Sequence, residues 1–352
     1  MAKEYLWRME DLRAVKKNGL RVFSCFSCGG GSSMGYKLAG YDVIGNNEID
    51  DSINEMYVKN FRPKYNYHMP IQKMVQLEDF PEDLKNLDVL DGSPPCSTFS
   101  VAGLREEAWN IKKKFREGQA DQVLSELFFD FIRLADILRP KVVVAENVKG
   151  ILMGNAKGYM NAILKAFETA GYKAQIFLLN AASMGVPQRR ERVFFICRRA
   201  DLNLPAIRLS FREPPIKYGE FADEEYIPIN PATELFRRWS RRAVGDRTIG
   251  DTVRRTEGGK ISSFSNGYIF KNEVPYTLIS CGEMVRFDVP GTVSKRDLCA
   301  IQTFPQDYDF CGQSVKYVCG MSVPPVMMKK IAKQIEVQML KGGRTHGAKV
   351  PE

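Results

Sequence analysis

The chain reads as an α/β protein: a doubly wound, Rossmann-like mixed sheet carrying a small, irregular, basic second domain. Three observations predict this. Strand-like apolar runs alternate with amphipathic helical patterns over the first 200 residues, a glycine loop stands where the first strand turns into the first helix, and the composition shifts after residue 200. The 352 residues have room for a large domain with an insert, and at 44% hydrophobic and 26% charged they can bury a core. The chain contains no run of about 18 apolar residues. Its first residues, Met1-Ala2-Lys3-Glu4-Tyr5, lack the apolar stretch of a secretory signal. No membrane association is expected, and the eight scattered cysteines should stay reduced.

Taken in order, residues 21–26 read as a strand, Gly29-Gly30-Gly31 breaks it, and 32–39 read as a helix. Residues 41–44 form a second strand that runs out at Gly45-Asn46-Asn47-Glu48, followed by a helix over 52–60. A third strand, 87–90, leads into the stiff turn Gly92-Ser93-Pro94-Pro95. Leu127, Phe128, Phe131, Leu134, Ala135 and Leu138 have helical spacing, and Val142-Val143-Val144-Ala145 is a fully apolar strand. A helix over 161–169 and strands over 175–179 and 193–197 complete the alternation. Residues 201–275 are rich in Pro, Arg and Gly, with a short β-prone piece at 265–270, and periodicity returns in a Pro-initiated helix over 324–339.

The chemistry-bearing residues fall at strand ends. Glycines at 29–31 allow a ligand close to the backbone at a helix N-terminus. Glu48, 22 residues after Phe26, is placed to accept hydrogen bonds from ribose hydroxyls. The loop departs from Gly-x-Gly-x-x-Gly, which counts against a nicotinamide cofactor but keeps an adenosine-containing one. Cys96 follows Pro94-Pro95, where lost backbone freedom pre-positions a nucleophile, and Glu146-Asn147-Val148 closes the apolar strand at 142–145. A thiol and a carboxylate at neighbouring strand ends form a nucleophile and acid pair. In an extended segment Gln188, Arg190 and Arg192 share a face suited to an anionic or carbonyl-bearing substrate. A metal site is not expected, because the chain has only His68 and His346 and a single Cys-x-x-Cys, Cys25 to Cys28. That pair leaves a redox role as a distant alternative. The net charge of +9 suits a polyanionic partner. Residues 232–260 concentrate it in eight Arg and Lys against four acids, with Phe236 and Trp239 interleaved, a composition that favours a nucleic-acid surface.

Five motifs in order resemble the C5-cytosine DNA methyltransferases: Pro94-Pro95-Cys96, Glu146-Asn147-Val148, Gln188-x-Arg190-x-Arg192, Gln302-Thr303-Phe304-Pro305 and Gly320-Met321-Ser322-Val323-Pro324-Pro325. The resemblance covers residues 21–199 and 275–340. It implies the S-adenosylmethionine-dependent methyltransferase fold, S-adenosylmethionine as cofactor, and double-stranded DNA as partner of a monomeric, cytoplasmic protein associated with the nucleoid. It implies a catalytic domain of 1–199 plus 276–352 and a target recognition domain of 200–275. Cys96, Glu146, Arg190 and Arg192 would be catalytic. Phe26, Gly30, Gly31, Glu48, Ile71, Pro95, Leu127, Ser322 and Val323 would hold the cofactor, and Ser97, Asn147 and Gln188 the substrate. Residues 97–123 match the loop that shuts over an extruded base, with Lys112, Lys113, Lys114 and Arg116 supplying charge for phosphates.

Four positions depart from the family pattern, all on the cofactor side. Ser24 replaces the usual Asp, Cys28 the first loop glycine, Pro70 an Asp, and Met321 an Asn. An active enzyme with weakened cofactor affinity is expected. Two rival readings have specific signs. A transfer-RNA methyltransferase of the same family would carry a Cys-Phe-Thr tripeptide in the recognition region, and this chain has none. A silent DNA-binding homologue would lose Cys96 or Glu146, and both are present.

Overall fold

The computed structural model describes residues 3–95, 126–153, 156–258 and 266–341, together with the backbone of 112–113 and 122–123. The first half alternates β1 (Arg21–Cys25), α1 (Gly31–Leu38), β2 (Asp42–Glu48), α2 (Asp51–Phe61), β3 (Tyr65–His68), the single turns α3 (Ile71–Met74) and α4 (Glu82–Lys85), and β4 (Val89–Gly92). Two short strands, β5 (Lys112–Lys113) and β6 (Gln122–Val123), pair antiparallel with each other. Then come α5 (Leu127–Leu138), β7 (Val142–Val148), α6 (Lys157–Thr169), β8 (Tyr172–Asn180) and β9 (Glu191–Arg199). Seven of these strands make one mixed sheet in the order β3-β2-β1-β4-β7-β9-β8. β3, β2, β1, β4 and β7 are parallel, and β9 runs antiparallel to both neighbours. Strand order reverses between β1 and β4, and ligands bind beyond the carboxyl ends of strands at such a switch point.

Alternation along each strand splits the core between two faces. Phe23, Leu90, Val143, Phe195 and Cys197 face α5 and α6 with Phe128, Phe131 and Phe167. Val22, Val89, Val142, Val144, Phe194 and Ile196 face the other way, with α1 and the C-terminal helix α11 (Pro325–Ile335) through Tyr36, Met327, Met328 and Ile331. α1 and α11 cross so closely that a Cβ on Gly35 would lie 2.5 Å from the Met328 Cβ and 2.6 Å from the Pro325 carbonyl oxygen. Pro at the first helical position of α11 suits its lack of an N–H.

Several elements go beyond the sequence reading. β3 has no apolar run to announce it; its residues alternate half-buried and exposed at a sheet edge. α11 stops at Ile335 and continues as a π-helical turn over Glu336–Leu340. Helices α7 (Glu234–Ser240) and α8 (Ile249–Thr256) lie in the stretch read as irregular, and α9 (Lys295–Gln302) and α10 (Val315–Met321) between 276 and 323, where no element is read from the sequence. Their start signals are in the sequence all the same: Thr248 with Asp251 and Ser294 with Asp297 are capping boxes.

A second sheet of order β10-β13-β12-β11 joins Ile227–Pro228, Gly291–Thr292, Met284–Arg286 and Gly267–Ile269. It packs with α7 and α8 around Trp239, Ile249, Val253, Tyr268 and Val285. Two of its strands come from beyond residue 275. Ile207, by contrast, is buried on the main sheet, where the Gln175 amide bonds its N–H and its carbonyl at 2.9 and 3.0 Å. Among the described residues no helix is long and apolar enough to cross a membrane.

Candidate active site

A cleft of about 140 Å³ opens at the switch point, lined by Phe26, Cys28, Asn47, Glu48, Ile49, Asp50, Ile53, Met69, Pro70, Ile71, Ser93, Pro95, Tyr317 and Met321. The turn after β1 is held in a tight form: Phe26 and Cys28 both have positive φ, 52° and 44°. The Cys28 N–H donates to Glu48 Oε2 at 2.9 Å, and Glu48 Oε1 accepts from the N–H groups of Ile49 and Asp50 at 2.8 and 3.1 Å. Three donors thus orient a carboxylate with about four lone-pair sites, which leaves acceptor capacity toward the cleft. Burial raises its pKa even so. Asn47 donates to the carbonyls of Tyr67 and Met69 at 2.9 and 2.7 Å and so shapes the wall that carries Pro70 and Ile71. Apolar walls with one oriented acceptor suit an adenosine-like group. Burial, then the Glu48 charge, push the Cys28 thiol to about 12, and burial pushes Cys25 well above its usual value. Neither is a ready thiolate, which weighs against a redox role for the pair.

Glu146 lies near the carboxyl end of β7 and is paired with Arg192 on β9, Nε to Oε1 at 3.0 Å, both side chains nearly buried at 10% and 14% exposure. The register sets Glu146 opposite Phe194 and Val148 opposite Arg192, so the pair is a diagonal cross-strand contact. Asn147 turns its amide onto the Pro94 carbonyl at 3.1 Å. It therefore holds the Pro-Pro turn, a job its expected place among substrate ligands did not suggest. Cys96 and Ser97 lie outside the described residues.

Gln188 and Arg190 face inward. Gln188 accepts from the Leu278 N–H at 2.9 Å and donates to the Ile301 carbonyl and to Gln302 Oε1 at 3.1 and 2.8 Å. Arg190, 2% exposed, donates to the carbonyls of Leu278, Gly320 and Ser322 at 2.9, 3.0 and 3.1 Å. The expected shared face of Gln188, Arg190 and Arg192 is thus divided: Arg192 meets Glu146, while the other two tie β9 to the segments around 278, 302 and 320–322. The extended segment begins β9 only at Glu191, so strict alternation does not reach back to Gln188.

Gly30, Gly31, Ser322, Val323 and Leu127 do not line the cleft. A Cβ on Gly30 would meet the Phe61 ring at 2.3 Å, and one on Gly31 the Val323 carbonyl oxygen at 2.1 Å. These glycines admit neighbouring protein, and Ser322 and Val323 buttress the loop from behind. Leu127 starts α5 and is fully buried in the core. Gly31→Ala is accordingly expected to destabilise the fold by about 1–3 kcal/mol, because a backbone carbonyl cannot step aside; urea unfolding measures it, and an unchanged midpoint would contradict this packing.

In the insert, most of the arginines have acidic partners. Arg237 and Arg238 meet Glu234 and Glu257, Arg247 meets Glu273, Arg254 meets Asp251, and Arg255 meets Asp246. The exposed pairs contribute little to stability, whereas Asp246 is buried and also accepts from the Thr252 hydroxyl at 2.9 Å. Trp239 is buried, donates to the Arg286 carbonyl at 2.8 Å and supports the Arg242 guanidinium 3.4 Å above its ring. It belongs to the small core, which corrects its expected place on an exposed surface. Among the described residues no three His, Cys, Asp or Glu side chains are grouped to hold a metal.

The family model described as C-5 cytosine-specific DNA methylase matches residues 20–337. The Type II methyltransferase M.NgoPII of Neisseria gonorrhoeae is 33% identical over 360 residues, covering 93% of this chain and 98% of that protein. M.FnuDI of Fusobacterium nucleatum, also a Type II methyltransferase, is 37% identical over 185 residues, 53% of this chain and 48% of that one. Among solved structures, an Escherichia coli protein described as a prophage-encoded DNA modification methyltransferase superposes with a TM-score of 0.67 at 20% identity, covering 91% of this chain and 99% of its own. A Spodoptera frugiperda DNMT2 variant gives 0.62 at 17% identity, covering 90% and 100%. These two share the fold.

Proposed function

The chain belongs to the C-5 cytosine-specific DNA methylase family, and from that premise we propose that it methylates carbon 5 of cytosine within one specific sequence of double-stranded DNA, through a covalent bond between Cys96 and carbon 6 of an extruded base. It is an enzyme, a DNA (cytosine-5-)-methyltransferase, and its relatives are Type II methyltransferases of restriction-modification systems. One observation carries the reading: the Pro94-Pro95 turn joins the two halves of the site. Pro95 lines the cleft, and Pro94 is held by Asn147, next to Glu146. The turn at Pro94-Pro95 is thus tied both to the cleft and to the strand that bears Glu146, and this supports the reading.

In the proposed reaction the Cys96 thiolate adds to carbon 6, and the ring electrons move toward N3 and carbon 5. Glu146 would accept from the exocyclic amine and, carrying a proton, donate it to N3 as charge builds there. Arg192 holds Glu146 and the O2 side of the base, while Arg190 fixes the backbone behind them. S-adenosylmethionine, when bound, supplies the electrophilic methyl group. Phe26, Glu48, Ile71 and Pro95 would hold it, with Gly30, Gly31, Ser322 and Val323 shaping the loop behind and Leu127 the core beneath. Loss of the carbon 5 proton to water, as the bond from carbon 6 to the Cys96 sulfur breaks and its electron pair leaves with the thiolate, restores the aromatic ring. The base must leave the duplex because neither face of its ring is reachable in the stack. Residues 1–199 with 276–352 would form the catalytic part, and 200–275, with the strands it pairs to, would read the target. The protein is proposed to act as a monomer in the cytoplasm, on the nucleoid.

Incubation with methyl-labelled cofactor and either duplex DNA or transfer RNA tests this. Label in duplex cytosines is expected. Label confined to transfer RNA, or to neither, overturns it.

A further inference from the structure

Asp91 is a buried carboxyl group, 2% exposed, with no part in the chemistry above. It sits on β4 five residues before Cys96 and stands in register with Ser24 of β1. Its Oδ2 accepts from the Ser24 hydroxyl at 2.9 Å and its Oδ1 from the Tyr36 hydroxyl at 3.4 Å, and the Ser32 hydroxyl bonds it as well. Ser24 precedes the cleft-lining turn at Phe26–Cys28, and Ser32 and Tyr36 belong to the helix that leaves it. The next residue, Gly92, is pressed against the Phe131 ring, 2.5 Å from where a Cβ would be. Two residues further on, Pro94 is pinned by Asn147.

We propose that Asp91 is a positioning residue for methyl transfer, a single carboxylate that clamps β4, which precedes Cys96 in the chain, to the loop and helix that form the cofactor cleft. The proposal rests on the reading above that this cleft binds S-adenosylmethionine. Ser24 stands where the family pattern has Asp. Because Ser24 and Asp91 are register partners with touching side chains, a carboxylate on either strand occupies nearly the same place.

The clamp is pH-sensitive. Burial pushes Asp91 up to about 7, and the Glu146 charge on β7 pushes in the same direction, while the hydroxyls of Ser24, Ser32 and Tyr36 favour the ionised form. Cys25 on β1, Tyr36 on α1 and Tyr57 on α2 are the other titratable groups that feel its charge. Ionised, both carboxylate oxygens accept; protonated, one becomes a donor and a partner must reverse or let go. The grip therefore strengthens as pH rises through about 7.

Calorimetric titration of S-adenosylmethionine, which needs no turnover, tests the proposal. For the wild type the affinity is expected to rise between pH 6 and pH 8. Asp91→Asn is expected to bind about tenfold more weakly at pH 8, the scale of a hydrogen bond to a charged group, and to lose the pH dependence. Ser24→Ala, a milder change, should weaken binding by a smaller factor and keep the pH dependence. The transposed variant Ser24→Asp/Asp91→Ser should recover affinity to within about threefold of the wild type, whereas Asp91→Ser alone should not. Unchanged affinity and pH dependence in Asp91→Asn, or no recovery in the transposed variant, would overturn the clamp while leaving the wild-type activity intact. A wild type that binds no S-adenosylmethionine would overturn the cofactor reading itself.

Discussion

Replacing Cys96 with serine is expected to lower methyl transfer to duplex DNA by about four orders of magnitude or more, while leaving S-adenosylmethionine affinity unchanged. The size follows from the chemistry: a hydroxyl is a far weaker nucleophile than a thiolate, and removing a covalent catalyst leaves only binding and orientation. The selectivity follows from the structure. Asp91, Gly92 and Pro94 are each anchored by separate contacts, to β1 and α1, to Phe131 and to Asn147. The cleft walls at Phe26, Glu48 and Ile71 belong to other elements, so the substitution should leave them in place. A duplex with 5-fluorocytosine at the target gives a second readout. Fluorine cannot leave as the proton does, so the wild type should remain bound covalently and Cys96→Ser should not. A serine variant that retains a tenth of the wild-type rate would exclude the covalent route.

Glu146→Gln is the second large effect, and it divides into two measurable parts. The Glu146–Arg192 pair is nearly buried, and burial lowers the Arg192 pKa while Glu146 supports its charge. An amide can still accept from Nε but brings no charge, so Arg192 is left with an uncompensated cation. Breaking such a pair costs about 3–5 kcal/mol when the partner is wholly lost; with one hydrogen bond retained, a smaller loss is expected in urea unfolding. Catalysis should fall by about 10²–10⁴, the range for removing a positioned acid–base group. Affinity for a duplex whose target base is already unpaired should change far less, since the amide can still donate to N3 and accept from the exocyclic amine. A variant with full activity would show that Glu146 serves only to hold Arg192.

The two effects differ in how they could be foreseen. Cys96 and Glu146 are legible because each follows an apolar run, 87–90 and 142–145, and nothing in the surrounding sequence gives them a structural role. Much of the sheet is legible for the same reason: strands buried on both faces must be continuous apolar runs, as Val142–Ala145 is. The edge strand Tyr65–His68 escapes that logic, since half its residues meet solvent. The short helices between 234 and 256 escape it too, because their apolar faces cover a core of only a few side chains and their arginines dominate the composition.

Residue types and spacing along the chain were enough to establish the strand–helix alternation and to point to a thiol and a carboxylate beyond strand ends, because each depends on local periodicity or on a turn. What the folded arrangement alone settled is which polar groups face a ligand and which hold the protein together. Gln188 and Arg190 look like substrate ligands in the sequence but bond backbone carbonyls and amides some 90 to 130 positions away. Gly31 looks like a cofactor contact and makes room for Val323, and Asp91, unmarked by the sequence, bonds three hydroxyls. The physical reason is the same in each case. A buried polar group must find a partner, and that partner is supplied by proximity in space, which local periodicity does not encode.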